Sequence, residues 1–192
     1  RLAVRDLPGS NILGHGEKVV IPSRALNELQ RLLASGEEAS LCLAGDRATF
    51  TVGQATLSTS LLQIEFPNYR QLIQPNYPNS LTTAREPLLE AIRRCRILAR
   101  ETTPVRLEMT ATSLKLIVVT QDVGNTVEEL DATMVGSDIT VGFNPEYLAA
   151  GIEAVSGDEI TIQTTDPIKP AVLRGVGAPD YLYLVMPQRL TN

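Results

Sequence analysis

One pattern recurs three times along the sequence: a short apolar run, an amphipathic helical segment, and three runs of alternating polar and apolar residues. The apolar runs begin at Val19, Leu81 and Ile139, roughly 60 residues apart. Each repeat predicts a β-α-β-β-β unit. Because one helix cannot cover both faces of a sheet, we expect two units to pair, with both helices packed on one face of a shared antiparallel sheet. The predicted fold class is α+β.

The helices are predicted from apolar residues three and four positions apart. Their stripes are Leu26, Leu29 and Leu33; Leu88, Ile92, Cys95 and Ala99; and Leu148, Ile152 and Val155. The second helix is expected over 86–100 and the third over 145–155, where Asn144 suits the N-cap and Pro145 the first helical position. Strands are expected at 19–21, 40–43, 49–52, 55–59, 81–83, 105–109, 114–118, 126–130, 139–143, 159–163, 171–174 and 181–186.

An odd number of units shapes the expected domain organisation. Three units make one complete two-unit domain and half of another. Pro67, Pro75 and Pro78 fall close together between the first and second units, and they predict an extended linker. We therefore predict the end of one domain over 1–70, a linker over 71–80 and a complete domain over 81–192.

Composition narrows the class of protein. Of the 192 residues, 43% are apolar and 20% charged, which is typical of a globular chain. The net charge of −5 excludes a polycation that coats nucleic acid along its whole length, although a local basic face remains compatible with it. Two cysteines fit a reducing cytoplasm. We expect neither a signal peptide nor a membrane span, and a start at Arg1 without Met is typical of a fragment.

Motifs for catalysis or metal binding are missing from the sequence. His15 is the single histidine, and the glycines on both sides of it favour a turn rather than a ligand site. Cys42 and Cys95 have no metal-ligand spacing, and no glycine-rich phosphate loop is present. We therefore expect no catalytic residues, no metal and no cofactor. An enzyme whose groups converge from distant positions is the least favoured alternative.

Four stretches match a known family in order along the whole chain. Residues 66–70 (FPNYR) resemble the interdomain motif of the bacterial DNA polymerase sliding clamp, the β subunit of DNA polymerase III. Residues 142–148 (GFNPEYL) are similar to the start of its last helix, and 181–190 (YLYLVMPQRL) to its C-terminal signature. Residues 1–4 (RLAV) resemble a strand of the same family. Gln188 departs from the pattern, because Met is frequent at that position.

The resemblance implies the DNA clamp fold and a role as a DNA replication processivity factor. The full-length homodimer forms a ring that encircles duplex DNA without sequence preference. It tethers replicative and repair polymerases, the clamp loader and other proteins that carry a short clamp-binding peptide. The family has six repeat units, of which this chain would hold the last three. We expect this fragment to be cytoplasmic, not to close a ring, and to bind DNA weakly.

The resemblance also implies an apolar groove for the leucine and phenylalanine anchors of the partner peptide. Carried over by position, the groove comprises Leu2, Pro67, Leu72, Asn144, Tyr147, Ile168, Pro170, Leu184, Val185, Met186, Pro187, Gln188, Arg189 and Leu190. Aliphatic and methionine side chains suit this task, because they desolvate apolar anchors and adapt in shape. The alternative for each of these residues is a purely structural role; Asn144, for example, could serve only as an N-cap.

A basic stripe is predicted on the second helix, opposite its apolar face. Arg93, Arg96 and Arg100 form this stripe and are expected to face DNA, and Arg24 and Arg31 of the first helix fit the same role more weakly. Such a stripe would attract phosphates without reading sequence, as sliding requires. A solvated helix face is the alternative, since Glu86 and Glu90 lie near the same face, and the third helix has no basic residue.

Ile97 and Leu98 are predicted to lie at a dimer interface. Ile97 falls off the apolar stripe near the end of the second helix, where the family contacts the first domain of the other subunit. An apolar residue at a frayed helix end is the alternative. For the chain as a whole, the rival to a clamp is a generic non-catalytic α+β repeat protein that binds other molecules and does not act on DNA.

Overall fold

The structure, a computed structural model, describes residues 1–7, 18–35, 38–99, 103–120 and 124–190. The chain forms two compact units. The larger contains Arg1–Leu7 and Tyr69–Asn192, and the smaller contains Pro8–Asn68. The first seven residues thus belong with the C-terminal part of the chain, whereas the predicted domain bounds had grouped them with the rest of 1–70. Each unit is described separately below.

The helices are α1 (Ser23–Leu32), α2 (Arg85–Leu98) and α3 (Pro145–Glu153), with short 3₁₀ turns at Leu33–Ser35 and Tyr69–Leu72. The strands are β1 (Leu2–Arg5), β2 (Ala39–Ala44), β3 (Arg47–Val52), β4 (Ala55–Ser60), β5 (Asn79–Ala84), β6 (Val105–Met109), β7 (Ser113–Thr120), β8 (Gly124–Val135), β9 (Ile139–Phe143), β10 (Glu159–Thr164), β11 (Ala171–Gly175) and β12 (Ala178–Val185). None of these helices is long and apolar enough to cross a membrane, among the residues that the structure describes.

The larger unit contains a nine-stranded antiparallel sheet in the order β1-β12-β11-β10-β5-β8-β7-β6-β9. Helices α2 and α3 contact each other, and they pack on the sheet through β7, β8 and β12. One continuous core joins both helices to the strands, with Leu88, Ile92, Leu148 and Ile152 fully buried. The predicted α+β architecture, with paired helices over an antiparallel sheet, is confirmed.

Local signals in the third repeat act as predicted. The Asn144 side chain accepts hydrogen bonds from the backbone N–H groups of Glu146 (2.9 Å) and Tyr147 (3.1 Å), and Pro145 is the first helical residue. These contacts satisfy N–H groups that have no partner within the helix. Helix α3 therefore begins at Pro145 because of its cap.

Two tyrosines of β12 form hydrogen bonds with the backbone of α3. The Tyr181 hydroxyl donates to the Gly151 carbonyl at 3.1 Å, and the Tyr183 hydroxyl donates to the Tyr147 carbonyl at 2.7 Å. Burial raises the pKa of Tyr181 to about 12 and also raises the pKa of Tyr183. Both hydroxyls therefore remain protonated donors at neutral pH, and they fix the position of α3 over β12.

The smaller unit contains α1 and the three-stranded sheet β2-β3-β4. Within its described part, the buried side chains are few: Ala25, Ala48, Phe50 and Val52. The predicted strand at 19–21 is not a strand in the structure. The Leu62 backbone N–H donates to the Val20 carbonyl of this run at 2.8 Å. Short β-branched runs become strands only when neighbouring strands pair with them.

The two cysteines differ in environment. Cys42 is exposed on β2, whereas Cys95 is fully buried on α2, and burial raises the pKa of the Cys95 thiol to about 11. At pH 8 we expect a thiol reagent to label one cysteine per native chain quickly and the second only after denaturation, since the thiolate is the reactive form. Cys42→Ser should remove the fast phase and Cys95→Ser should leave it. Rapid labelling of both thiols in the native protein would contradict this prediction.

Candidate functional site

Strand pairing brings several of the predicted groove residues together in the larger unit. Strands β1 and β12 pair with Leu2 opposite Leu184. Strand β12 also pairs with β11, with Val185 opposite Ala171, so that Pro170 lies just before this edge. The three segments are distant in sequence, yet their ends meet at the carboxyl end of β12.

The residues after β12 extend to β9, which stands at the other end of the strand order, and form an isolated bridge with it. The Gln188 backbone N–H donates to the Gly142 carbonyl at 2.8 Å. A Cβ on Gly142 would lie 2.5 Å from Leu190 Cδ2 and 3.0 Å from the Gln188 carbonyl oxygen. The absence of a side chain at Gly142 therefore lets the segment pass close to the strand. This places the C-terminal signature immediately beside the start of α3, which carries Asn144 and Tyr147.

Apolar side chains remain exposed around this meeting point. Met186 is 50% exposed, Tyr147 41%, Leu72 48% and Ile168 68%. The Arg1 guanidinium lies over the Tyr147 ring, 4.2 Å from its centroid, and covers part of it. Exposed apolar groups gathered on one side of a fold mark a surface for binding another molecule.

Leu184 and Val185 have different roles because strand residues alternate between faces. Val185 is fully buried in the core beneath the helices, so it supports the site from inside rather than lining it. Leu184 belongs to a second cluster with Val172 and Leu182. Of the two neighbours that the sequence predicted as groove residues, only Leu184 faces the side of the sheet away from the helices.

Sequence analysis missed the residues that complete this second cluster. Val4, Ile73 and Tyr77 pack against it. A cavity of about 210 Å³ opens beside it, lined by Val4, Asp6, Tyr69, Arg70, Ile73, Arg174, Pro179, Asp180 and Leu182. Leu182 and Leu184 are two positions apart, so they lie on the same face of β12. This alternation was the sequence pattern that could have predicted an apolar outer surface on the strand.

Ile168 is held outward by a tight turn. The Asp166 carboxylate accepts hydrogen bonds from the backbone N–H groups of Ile168 (2.9 Å) and Lys169 (2.8 Å). These bonds, that from Ile168 first, lower the pKa of Asp166 and keep it ionised. The turn thus holds the Ile168 side chain in solvent. Ile168 therefore does not serve as a core residue.

The remaining predicted groove residues have varied positions. Pro187 is half-buried, Arg189 is exposed, and Pro67 is exposed in the smaller unit. Gln188 is half-buried, and its Oε1 is a buried oxygen without a hydrogen-bond partner among the described residues. No group of three or more His, Cys, Asp or Glu residues that could hold a metal ion occurs in the described part of the chain.

The arginine stripe of α2 is occupied by ion pairs. Arg93 donates to Glu153 of α3 at 3.0 Å and to Glu90 at 3.1 Å, and Arg96 lies 3.5 Å from Glu146 of α3. The hydrogen bond with Glu153, followed by that with Glu90, raises the pKa of Arg93. The acidic residues of α3 thus neutralise the basic residues of α2, and the field of the helix pair is weaker than the arginines alone predict.

The other predicted DNA-facing residues lie apart from this pair. In the smaller unit, Arg31 contacts Glu28 at 2.7 Å, and Arg24 is exposed. Arg100 lies outside the described residues. Of the predicted stripe, the two described residues, Arg93 and Arg96, therefore reach the solvent as ion pairs.

The predicted dimer residues are separated by the helix geometry. Ile97 is 84% exposed, whereas Leu98 packs against the main core. Nearby, Arg94 holds Glu128 through two hydrogen bonds of 2.8 and 2.9 Å, which lower the pKa of that carboxyl. Only Ile97 of the pair offers an apolar surface at this end of α2.

Comparison with known families covers nearly the whole chain. Residues 70–189 match the model for the C-terminal domain of the DNA polymerase III beta subunit, and residues 1–68 match the model for its central domain. The chain belongs to the DNA polymerase III beta subunit family. The resemblance read from the four motifs is thereby confirmed, and the boundary between the two matches falls where the compact units divide.

Members of this family from several bacteria are similar to the chain. The beta sliding clamp of Synechococcus elongatus is 34% identical over 91% of this chain and 48% of its own length. That of Streptomyces coelicolor is 31% identical over 90% of this chain and 49% of its own length. The chain therefore spans about half the length of these beta subunits.

Solved structures show the same fold. A DNA polymerase III subunit beta sliding clamp from Bartonella birtlesii has a TM-score of 0.89 and 28% identity, over 98% of this chain and 55% of that chain. A structure of the clamp from the same organism bound to griselimycin has a TM-score of 0.82 and 28% identity, over 91% of this chain and 48% of that chain.

Proposed function

We propose that this chain is part of a sliding clamp, a non-catalytic processivity factor, and that it binds partner proteins through a peptide groove in its larger unit. The observation that carries the proposal is the apolar surface at the end of β12. There Met186, Tyr147, Ile168 and Leu72 stay exposed although an ample core lies beneath them. The bound molecule would be a short peptide with leucine and phenylalanine anchors, carried by polymerases, repair proteins or a clamp loader.

The groove offers a peptide both apolar walls and polar anchors. Met186 and Leu190 supply flexible aliphatic surface. Gln188 offers a side-chain oxygen that has no partner among the described residues, which suits a peptide N–H once the side chain turns outward. A few polar groups among apolar walls fix orientation, while burial of the anchors supplies most of the affinity.

The proposed role in replication concerns the full-length protein, of which this chain is a part. In the full-length protein, a homodimeric ring would encircle duplex DNA in the cytoplasm, with α2 and α3 toward the duplex. Arg93 and Arg96 of α2 are each paired with a glutamate of α3. Contacts of this kind are weak and sensitive to salt, as sliding requires. An isolated chain that spans half the relatives' length is expected to bind DNA weakly.

Peptide binding tests the proposed groove. A fluorescent peptide with leucine and phenylalanine anchors should bind with a micromolar Kd by anisotropy, and Met186→Ala should weaken it about tenfold, because a central apolar wall is lost. Val135→Ala is the matched control, since Val135 is exposed outside the predicted groove and its truncation should leave the Kd unchanged.

Two results would count against the proposal. Absence of binding at millimolar peptide would favour a generic α+β binding protein that does not act on DNA. Equal losses for Met186→Ala and Val135→Ala would place the peptide elsewhere. A tight complex between the isolated chain and DNA that persists at high salt would contradict the sliding role, because loose ionic contacts weaken as salt rises.

A further inference from the structure

Two exposed walls of the proposed groove, Leu72 and Met186, stand next in the chain to the apolar cluster on the outer face of the sheet. Leu184 of that cluster precedes Met186 by two residues, and Ile73, which packs against the cluster, directly follows Leu72. Leu184 pairs with Val172 across β12 and β11. Strand pairing therefore fixes the point from which Met186 extends, whereas the position of Leu72 depends on how Ile73 is held.

The segment that follows Leu72 lies outside the sheet. Residues 73–78 join the 3₁₀ turn at Tyr69–Leu72 to β5, and they form neither helix nor strand. Two of them, Pro75 and Pro78, have no backbone N–H to donate. Because strand pairing does not hold this segment, side-chain contacts have to keep it on the sheet.

Tyr77 makes two contacts that meet this need. Its ring packs against the buried outer cluster, and its hydroxyl oxygen accepts a hydrogen bond from the Gln74 backbone N–H at 3.1 Å. Gln74 directly follows Ile73 and precedes Pro75, which restricts it to extended conformations. One side chain thereby ties the backbone next to Ile73 to the buried face of β11 and β12.

We propose that Tyr77 is a positioning residue of the groove: it holds residues 72–74 against the sheet and so fixes Leu72 as a preformed wall for the peptide. This inference rests on the proposed peptide groove. A wall that is already in place reduces the free energy spent on ordering side chains and backbone when the peptide binds, which raises affinity. Among variants of one interface, such differences act mainly on the dissociation rate.

The conservative variant Tyr77→Phe tests the hydroxyl alone, because it keeps the packed ring and removes the hydrogen-bond acceptor. Without peptide, the Gln74 amide hydrogen should exchange with solvent at least about fivefold faster than in the unmodified chain. The peptide Kd should rise about threefold, chiefly through faster dissociation. Asn76→Ala, at an exposed neighbour on the same segment, is the control and should change neither value.

A double-mutant cycle tests whether Tyr77 acts through Leu72. In the otherwise unmodified chain, Tyr77→Ala should raise the peptide Kd about tenfold. In a Leu72→Ala background it should raise the Kd less than about twofold, because no wall is left to position. A general structural loss would raise the Kd equally in both backgrounds. Should Tyr77→Ala fail to fold, Tyr77→Phe takes its place in the cycle, and its threefold effect should vanish beside Leu72→Ala.

The outcomes separate this inference from the groove itself. An unmodified chain that does not bind the peptide would overturn the groove and the role of Tyr77 together. An unmodified chain that binds, with equal losses in the two backgrounds or with no change in Kd for either Tyr77 variant, would overturn the role of Tyr77 alone. Unchanged exchange of the Gln74 amide hydrogen in Tyr77→Phe would overturn it as well.

Discussion

Replacing Phe143 with alanine should lower the free energy of unfolding of the larger unit by about 4 kcal/mol. Phe143 is fully buried at the end of β9, opposite Val105 of β6 and directly before the cap of α3. Truncation removes apolar surface and leaves a cavity under both helices, which packed neighbours fill only in part. A loss of this size is a large share of the stability of an ordinary domain.

The tyrosines allow this loss to be measured in the larger unit alone. The chain has five tyrosines and no tryptophan, and all five lie at or beyond residue 69. Urea unfolding followed by tyrosine near-UV circular dichroism therefore reports on the larger unit. Phe143→Leu should lower the free energy of unfolding by about a third as much as Phe143→Ala. Val127→Ala, at an exposed position of β8, is the control and should change the free energy of unfolding by less than about 0.5 kcal/mol. A loss below about 1 kcal/mol for Phe143→Ala would contradict the cavity argument.

Gly151→Ala should destabilise the larger unit by about 2 kcal/mol, although alanine favours helices. Gly151 lies inside α3 against the buried ring of Tyr183, and an added Cβ would overlap the Cδ1 and Cε1 atoms of that ring and lie 2.8 Å from Cγ. The ring cannot move freely, because its hydroxyl donates to the Tyr147 carbonyl. The overlap outweighs the gain of about 1 kcal/mol in helix propensity.

A double-mutant cycle separates the overlap from propensity. In a Tyr183→Ala background, the space beside residue 151 is free. The effect of Gly151→Ala on the free energy of unfolding should therefore change sign, with a stabilisation of up to about 1 kcal/mol. Ala150→Ser, at an exposed neighbour on α3, is the control and should cost about 0.5 kcal/mol or less. A destabilisation of the same size in both backgrounds would show that the Tyr183 ring is not the cause.

Much of the fold was predictable because local patterns and global packing agree. The strand at 139–143 matched β9, and the cap formed by Asn144 and Pro145 set the start of α3. The end of α2 was less well predicted. The helix ends at Leu98 and Ala99 is extended, although the apolar stripe had suggested a helix to 100. Apolar spacing shows which face is buried but carries little information on where a helix stops.

The candidate site was predicted only in part. The family motifs pointed to the exposed Met186 and Tyr147, whereas Ile73 and Tyr77 were missed. These two residues pack on the outer face of the sheet. They lie among the prolines of the predicted linker, and no periodic pattern there indicates burial. Their role depends on strand β12, more than a hundred residues later in the chain.

The sequence by itself determined the repeating unit, the class of each element and the need for units to pair, because the period of apolar residues follows directly from helix and strand geometry. Only the tertiary structure decided which charges meet. Arg93 and Arg96 seemed to form a free basic stripe until α3 placed Glu153 and Glu146 against them. Ion pairs between helices depend on distances that packing sets, and no local pattern records those distances.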